Sequence, residues 1–174
     1  MNIFFLSRFP RKCAKYHIDK HVVKMILETA QLLSTTWWVL EPSKALDIHA
    51  QEHIYRKTHV NHPCAIWARE TLGNYTWLAQ LGLALCKEYT HRYGRIHKTQ
   101  DRLQWMSDHV PMSIPLGDMV DPPRCMPDEL KSWHGSTVSA YRRLYIRKKQ
   151  YDMPCRWTNR DQPKWFIRKP DAPY

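Results

Sequence analysis

Between Tyr16 and Ser34 the polar positions fall on one helical line. His17, His21, Lys24, Glu28 and Gln31 are spaced four, three, four and three residues apart, the repeat of one face of a helix. The positions around them are apolar: Ile18, Val22, Val23, Met25, Ile26, Leu27, Ala30, Leu32 and Leu33. A surface helix normally carries an apolar stripe on a polar cylinder, and this pattern is the inverse. Burying most of the circumference would aim two imidazoles, an ammonium, a carboxylate and an amide into one cleft. Such groups have to be paired, hydrated or in use. The bland alternative is a solvent face on which Lys24 and Glu28 form an i,i+4 pair.

The same periodicity read along the chain predicts a mainly α-helical protein, a compact single-domain bundle. Asn2 to Leu6 is a short apolar run, either a small strand or an extended segment packed into the core. The main helix is expected from Pro10 or Lys12 to about Val39, with Pro42 as its stop. Lys44 to Tyr55 has a weaker helical pattern. Pro63 suits the first position of a further helix, with Asn61 or His62 as its cap. Asn74 to Tyr93 reads as an amphipathic helix stopped by Gly94, and Lys98 to Asp108 as a shorter one. His109 to Gly135 holds five of the twelve prolines and reads as a long irregular region, a lid over a cleft. Ser136 caps a last helix to about Gln150, with Val138, Tyr141, Leu144 and Tyr145 inward. Residues 1–95 form the helical core with the candidate site, and residues 96–174 the basic, Trp-rich C-terminal part.

Charge narrows the partner. The 174 residues carry a net charge of +11 with Lys and Arg outnumbering Asp and Glu by 27 to 16, which favours a polyanion such as nucleic acid. The excess is concentrated C-terminally. Arg142, Arg143, Arg147 and Lys148 lie outward on the last helix, and Arg160, Lys164 and Arg168 follow among Trp157, Trp165 and Phe166. Cations between aromatics suit phosphates and bases. Five widely spaced cysteines without a C-x-x-C pair are expected to be reduced thiols in a cytosolic compartment. Neither a signal peptide nor a membrane span is expected, and the chain is expected to act as a monomer.

The chain lacks a Walker A loop, G-x-G-x-x-G, G-x-S-x-G and H-E-x-x-H. His, Lys, Glu and Arg remain, a set suited to acid–base work on a polyanion without a cofactor. Catalytic candidates are Glu28, Lys24, His21 and His17. Gln31, His59, His62 and Arg69 are candidate substrate contacts, the two histidines lying at a helix entrance where free N–H groups favour phosphate. A metal held by His17 and His21, with Glu28 or His62 as third ligand, is a further possibility.

The opening MNIFFL, the Asp19-Lys20-His21 that begins a helix, Glu28 seven residues beyond His21, the HVNHP segment, and Glu88 to Gly94 with its E-x-x-x-R-Y-G form together resemble the phage pyrimidine-dimer DNA glycosylases of the endonuclease V type. The resemblance covers roughly residues 1–95. It implies a compact helical fold that kinks duplex DNA and extrudes a base. It also implies Glu28 as the catalytic carboxylate and His21 as a phosphate or sugar contact. In that family the nucleophile is the α-amine of a threonine exposed by loss of the initiator methionine. Here Asn2 stands at that position, which does not favour methionine removal, so the free amine would belong to Met1. The family's arginines beside the catalytic Glu are also unmatched, because Leu27 precedes Glu28 and Gln31 lies where a second would fall. The sequence also resembles proteins of large DNA viruses and phages, whose genomes often encode base-modifying enzymes, and that resemblance adds base modification to excision. The expectation is therefore a DNA-repair-like enzyme that excises or modifies a nucleobase. The alternatives are a non-catalytic nucleic-acid binder and a small metal-dependent hydrolase.

Overall fold

The computed structural model describes residues 1–131, 134–149 and 154–167. Its helices are α1 (Pro10–Tyr16), α2 (Asp19–Leu40), α3 (Pro42–Ala50), α4 (Pro63–Glu70), α5 (Leu72–Tyr93), α6 (Gln100–Asp108), α7 (Asp128–Lys131) and α8 (Thr137–Leu144). A π-turn, Tyr145–Lys149, continues α8. No strand occurs among the described residues, so the protein is mainly α. No helix among them is long and apolar enough to cross a membrane.

The two 22-residue helices α2 and α5 pack along each other and form the centre. Ile26, Leu32 and Leu33 of α2 and Tyr75, Leu78, Leu81 and Leu85 of α5 are all buried. Truncating one such leucine to alanine costs about 2–5 kcal/mol. Gly82 lets α2 and α6 approach α5: a Cβ there would lie 2.7 Å from Leu103 Cδ2 and 3.0 Å from Thr29 Cγ2. Gly94 ends α5 with φ at 65°, a left-handed cap that favours glycine.

The expected single helix from Pro10 to Val39 is two helices. The chain breaks at His17 and Ile18, both extended. Arg92 of α5 fills the break with a fully buried guanidinium. It donates to the Lys15 and His17 carbonyls at 3.1 and 2.8 Å and pairs with Asp19 at 2.9 Å and Glu88 at 3.2 Å. The carbonyls that α1 leaves unpaired at its end are thus satisfied by a side chain distant in sequence. Asp19 N–H in turn donates to the Arg156 carbonyl at 2.9 Å.

Other boundaries shift for equally local reasons. Pro42 begins α3 instead of ending α2, because its missing N–H costs nothing in a first turn. His62 is the cap of α4. The N-terminal run is an extended segment without strand pairing, with Ile3, Phe4, Phe5 and Leu6 buried. The irregular region contains the short α7 and is pinned at Asn74, whose side chain donates to the Trp67 carbonyl and accepts Val120 N–H, both at 2.9 Å. The last helix leaves α geometry at Tyr145, and Gln150 lies outside the described residues. On α8 the inward residues are Thr137, Ala140, Tyr141 and Leu144, with Val138 half-buried.

Candidate active site

The N-terminal segment lies across the outer face of α2 and encloses a cavity of about 270 Å³. Met1, Asn2 and Phe4 form one side; Lys20, His21, Lys24, Met25 and Glu28 form the other. Glu28 is the electrostatic centre. Its Oε2 accepts the Asn2 backbone N–H at 3.1 Å, and its Oε1 lies 3.3 Å from Lys24 Nζ. The carboxylate side chain is only 13% exposed, whereas that of Lys24 is 68% exposed. The polar stripe is therefore graded, with its carboxylate shielded and its ammonium in solvent. Gln31 lies one turn further on, half-buried and outside the cavity lining.

Asn2 ties the cavity to the rest of the fold. Its side-chain amide donates to the Cys125 carbonyl at 2.9 Å, and its Oδ1 accepts the Tyr141 hydroxyl at 2.9 Å. His21 is buried at the inner end, stacked on Phe4 with ring centroids 4.1 Å apart. Its Nδ1 meets the Tyr145 hydroxyl at 2.6 Å. Burial pushes that hydroxyl's pKa well above the ordinary tyrosine value, so the Tyr145 phenol stays protonated.

His17 departs from the predicted stripe. It follows α1, is fully buried, and does not line the cavity. Its Nδ1 donates to the Cys13 carbonyl at 2.8 Å, while Nε2 has no hydrogen-bond partner. Burial lowers its pKa to about 4, so the ring is neutral. Its centroid lies 6.5 Å from that of His21 with the planes steeply inclined. The helix break separates the pair, and among the described residues they belong to no trio with metal-ligand spacing.

His59, His62 and Arg69, expected opposite the stripe, do not line the cavity. His62 Nδ1 accepts Cys64 N–H at 3.1 Å and so occupies one of the free donors of α4. Partial burial lowers its pKa, followed by the positive charges of the N-terminal amine and His59, while Glu28 opposes the shift. His62 is therefore within electrostatic reach of the cavity. His59 is exposed at φ 48° and bonds Thr58 Oγ1 at 2.6 Å. Arg69 donates to the Val60 carbonyl at 2.8 Å and fixes the loop before α4.

Among the expected backbone-gripping cations, Arg142 and Arg160 are bound inside the fold. Arg142 donates to the Leu6 carbonyl at 3.0 Å, and its guanidinium lies over Tyr16 and Trp165 at 5.4 and 5.2 Å. Arg160 forks onto Glu88 at 2.8 and 3.0 Å. Arg143 is half-buried and Arg147 exposed. The Lys148 side chain lies outside what is described.

A thiol pair beside the cavity has no signature in the sequence. Cys64 Sγ and Cys125 Sγ are 3.5 Å apart. The hydrogen bond from Cys64 lowers the Cys125 pKa to about 7 and raises that of Cys64. About sixty residues of intervening chain hide the pair, and the only local hint is the H-P-C run at the α4 entrance.

The family model described as pyrimidine dimer DNA glycosylase matches residues 1–101. The chain belongs to that family. The matched span holds α1 to α5, and with them Glu28, His21, Lys24 and the whole cavity wall. This family member is accordingly a DNA-acting, glycosylase-type enzyme. Neither the curated proteins nor the solved structures include a match. The thiol of Cys125, α7, α8 and residues 154–167 lie beyond the matched span.

Proposed function

We propose that the protein excises a base from duplex DNA as a monomer, with an amine in the cavity as nucleophile and Glu28 as the catalytic carboxylate. The observation that carries this reading is the Asn2 nitrogen held 3.1 Å from Glu28 Oε2, which presents the start of the chain to the carboxylate. While Met1 is attached that nitrogen is an amide, without a nucleophilic lone pair. The α-amine of Met1, which lines the cavity, then serves. Lys24 Nζ, 3.3 Å from Glu28, is the second candidate.

In the reaction the amine nitrogen bonds to C1′ of the sugar as the C1′–N bond to the base breaks. Glu28 takes the amine's proton and passes it to the departing base, and its charge stabilises the cationic sugar. Opening of the sugar ring, with the nitrogen's remaining proton passing to O4′ as the C1′–O4′ bond breaks, leaves an imine between C1′ and the nitrogen. The target has to leave the base stack to reach a recessed cavity. Exposed Val23 and Leu27 flank Lys24 and Glu28 and would occupy the gap left in the stack. His21 and His62 would contact the sugar or phosphate, with Arg143 and Arg147 on the backbone.

The test is incubation with ultraviolet-damaged and abasic duplexes, with and without borohydride. A trapped adduct whose peptide map ends at Met1 supports the α-amine, and one at Lys24 moves the nucleophile there. Base release without any trapped adduct would replace the amine with an activated water. Nucleoside mass spectrometry separates a missing base from an altered one; an altered base would make the same cavity a base-modifying site.

A further inference from the structure

The irregular region brings Cys125 to the first turn of α4, beside His62 and Cys64. One donor atom from each of these three residues lies within 4.8 Å of the others. Among the described residues no other trio of histidine, cysteine or carboxylate has that spacing. We propose that His62, Cys64 and Cys125 form a zinc site next to the Glu28 cavity, with three protein donors and one open position.

The geometry fits a thiophilic dication. Two sulfurs on one tetrahedral zinc ion stand about 3.8 Å apart, given Zn–S bonds of about 2.3 Å. The observed separation is 3.5 Å, so a small adjustment suffices. A Cys₂His set with a vacant fourth position is an established zinc donor set. The thiols are also held in place. Cys64 is fixed by α4, and Cys125 N–H donates to the buried Tyr141 hydroxyl at 3.1 Å. His62 is already at the entrance of α4, but its neutral ring has a single lone pair, now used to cap Cys64 N–H. Binding therefore costs that capping bond. Two thiolates and the dication leave the site neutral.

The site has a structural consequence for the cavity. The Asn2 amide that donates to the Cys125 carbonyl belongs to the residue whose backbone N–H rests on Glu28. Metal on Cys125 would thus hold the N-terminal wall of the cavity in register with the carboxylate. The inference stands apart from the base-excision reading, because it concerns binding alone.

The test uses the full chain, reduced with a phosphine, stripped with a chelator and titrated with cobalt(II), then zinc(II). One equivalent of cobalt should give tetrahedral visible bands and a thiolate-to-cobalt absorption in the near ultraviolet. Zinc should abolish both and raise Tm. Cys64→Ser and Cys125→Ser should each weaken zinc binding at least about 100-fold, beyond the loss typical of an outer partner. Cys155→Ser should bind as the parent does. Cobalt uptake without the thiolate absorption, or no uptake by the folded reduced chain, overturns the proposal. A Cys64–Cys125 disulfide forming on aeration of a chain that takes up no metal would make the pair a redox element instead.

Discussion

Glu28 and Asn2 are 26 residues apart in sequence, yet the Glu28 carboxylate accepts the Asn2 backbone N–H at 3.1 Å. That bond fixes the start of the chain against the long helix α2 and defines one edge of the cavity. The acceptor is nearly shielded from water while its second oxygen holds an exposed ammonium, Lys24. A carboxylate so placed can exchange a proton with a bound substrate without first losing a full hydration shell.

Glu28→Gln keeps the size of the side chain and removes its charge. It should lower single-turnover base release at least about 100-fold, the scale of a lost general acid–base group. Affinity for duplex DNA should stay within a few-fold of the parent. Quench-flow assays beside fluorescence anisotropy make the comparison, and undiminished turnover would take Glu28 out of the chemistry.

Asn2→Ser tests the nitrogen itself. A small second residue permits removal of Met1, so the purified chain should lack one methionine by intact mass. The nitrogen on Glu28 would then be an amine, and borohydride trapping should shift from Met1 or Lys24 to the substituted second residue. The variant also loses the side-chain bonds to Cys125 and Tyr141, which should cost about 1–2 kcal/mol in urea unfolding.

Stability should fall as acid is added, with His17 as one named cause. Its folded pKa is lowered to about 4 against an ordinary value of 6.5. The unfolded chain therefore binds a proton first, and stability is lost as pH drops from about 6.5 towards 4. The total loss from this group is on the order of 3 kcal/mol. For Glu41 and Glu88 burial opposes ionisation but is outweighed by hydrogen bonds and by the cations Lys44, Arg160 and Arg92, so their pKa values are lowered. Their contribution is lost as pH falls from the ordinary carboxylate value through the lowered folded one. Urea midpoints at pH 7 and pH 5 for the parent and His17→Gln make the check: the variant should start less stable and show a flatter slope between them.

Arg92→Met removes the cation that fills the break between α1 and α2. Asp19 and Glu88 would be left without it, and the Lys15 and His17 carbonyls without donors. A loss of about 3–5 kcal/mol is expected, read as a fall in Tm and in the urea midpoint. Arg92→Lys should recover little, since one ammonium cannot span four acceptors.

Charge reversal at the exposed Arg147 should weaken DNA binding about equally across sequences. The slope of log K against log salt should shrink by about one for each phosphate that is no longer neutralised. Arg142→Glu should behave differently and destabilise the fold, because that guanidinium donates to Leu6 and covers Tyr16 and Trp165.

The sequence by itself determined a helical fold, the register of α2 and the identity of its shielded carboxylate. These follow from a 3.6-residue repeat, from caps such as His62 and Gly94, and from motifs confined to a few neighbouring residues. Period alone did not reveal that the first helix breaks at His17, because the break is held by Arg92, a cation 75 residues away that donates to the Lys15 and His17 carbonyls. It did not separate solvent-facing cations from Arg142 and Arg160, since partners such as Leu6 and Glu88 are chosen by packing. Nor did it pair Cys64 with Cys125. The tertiary structure decided those points, because each depends on which distant groups meet once water is excluded.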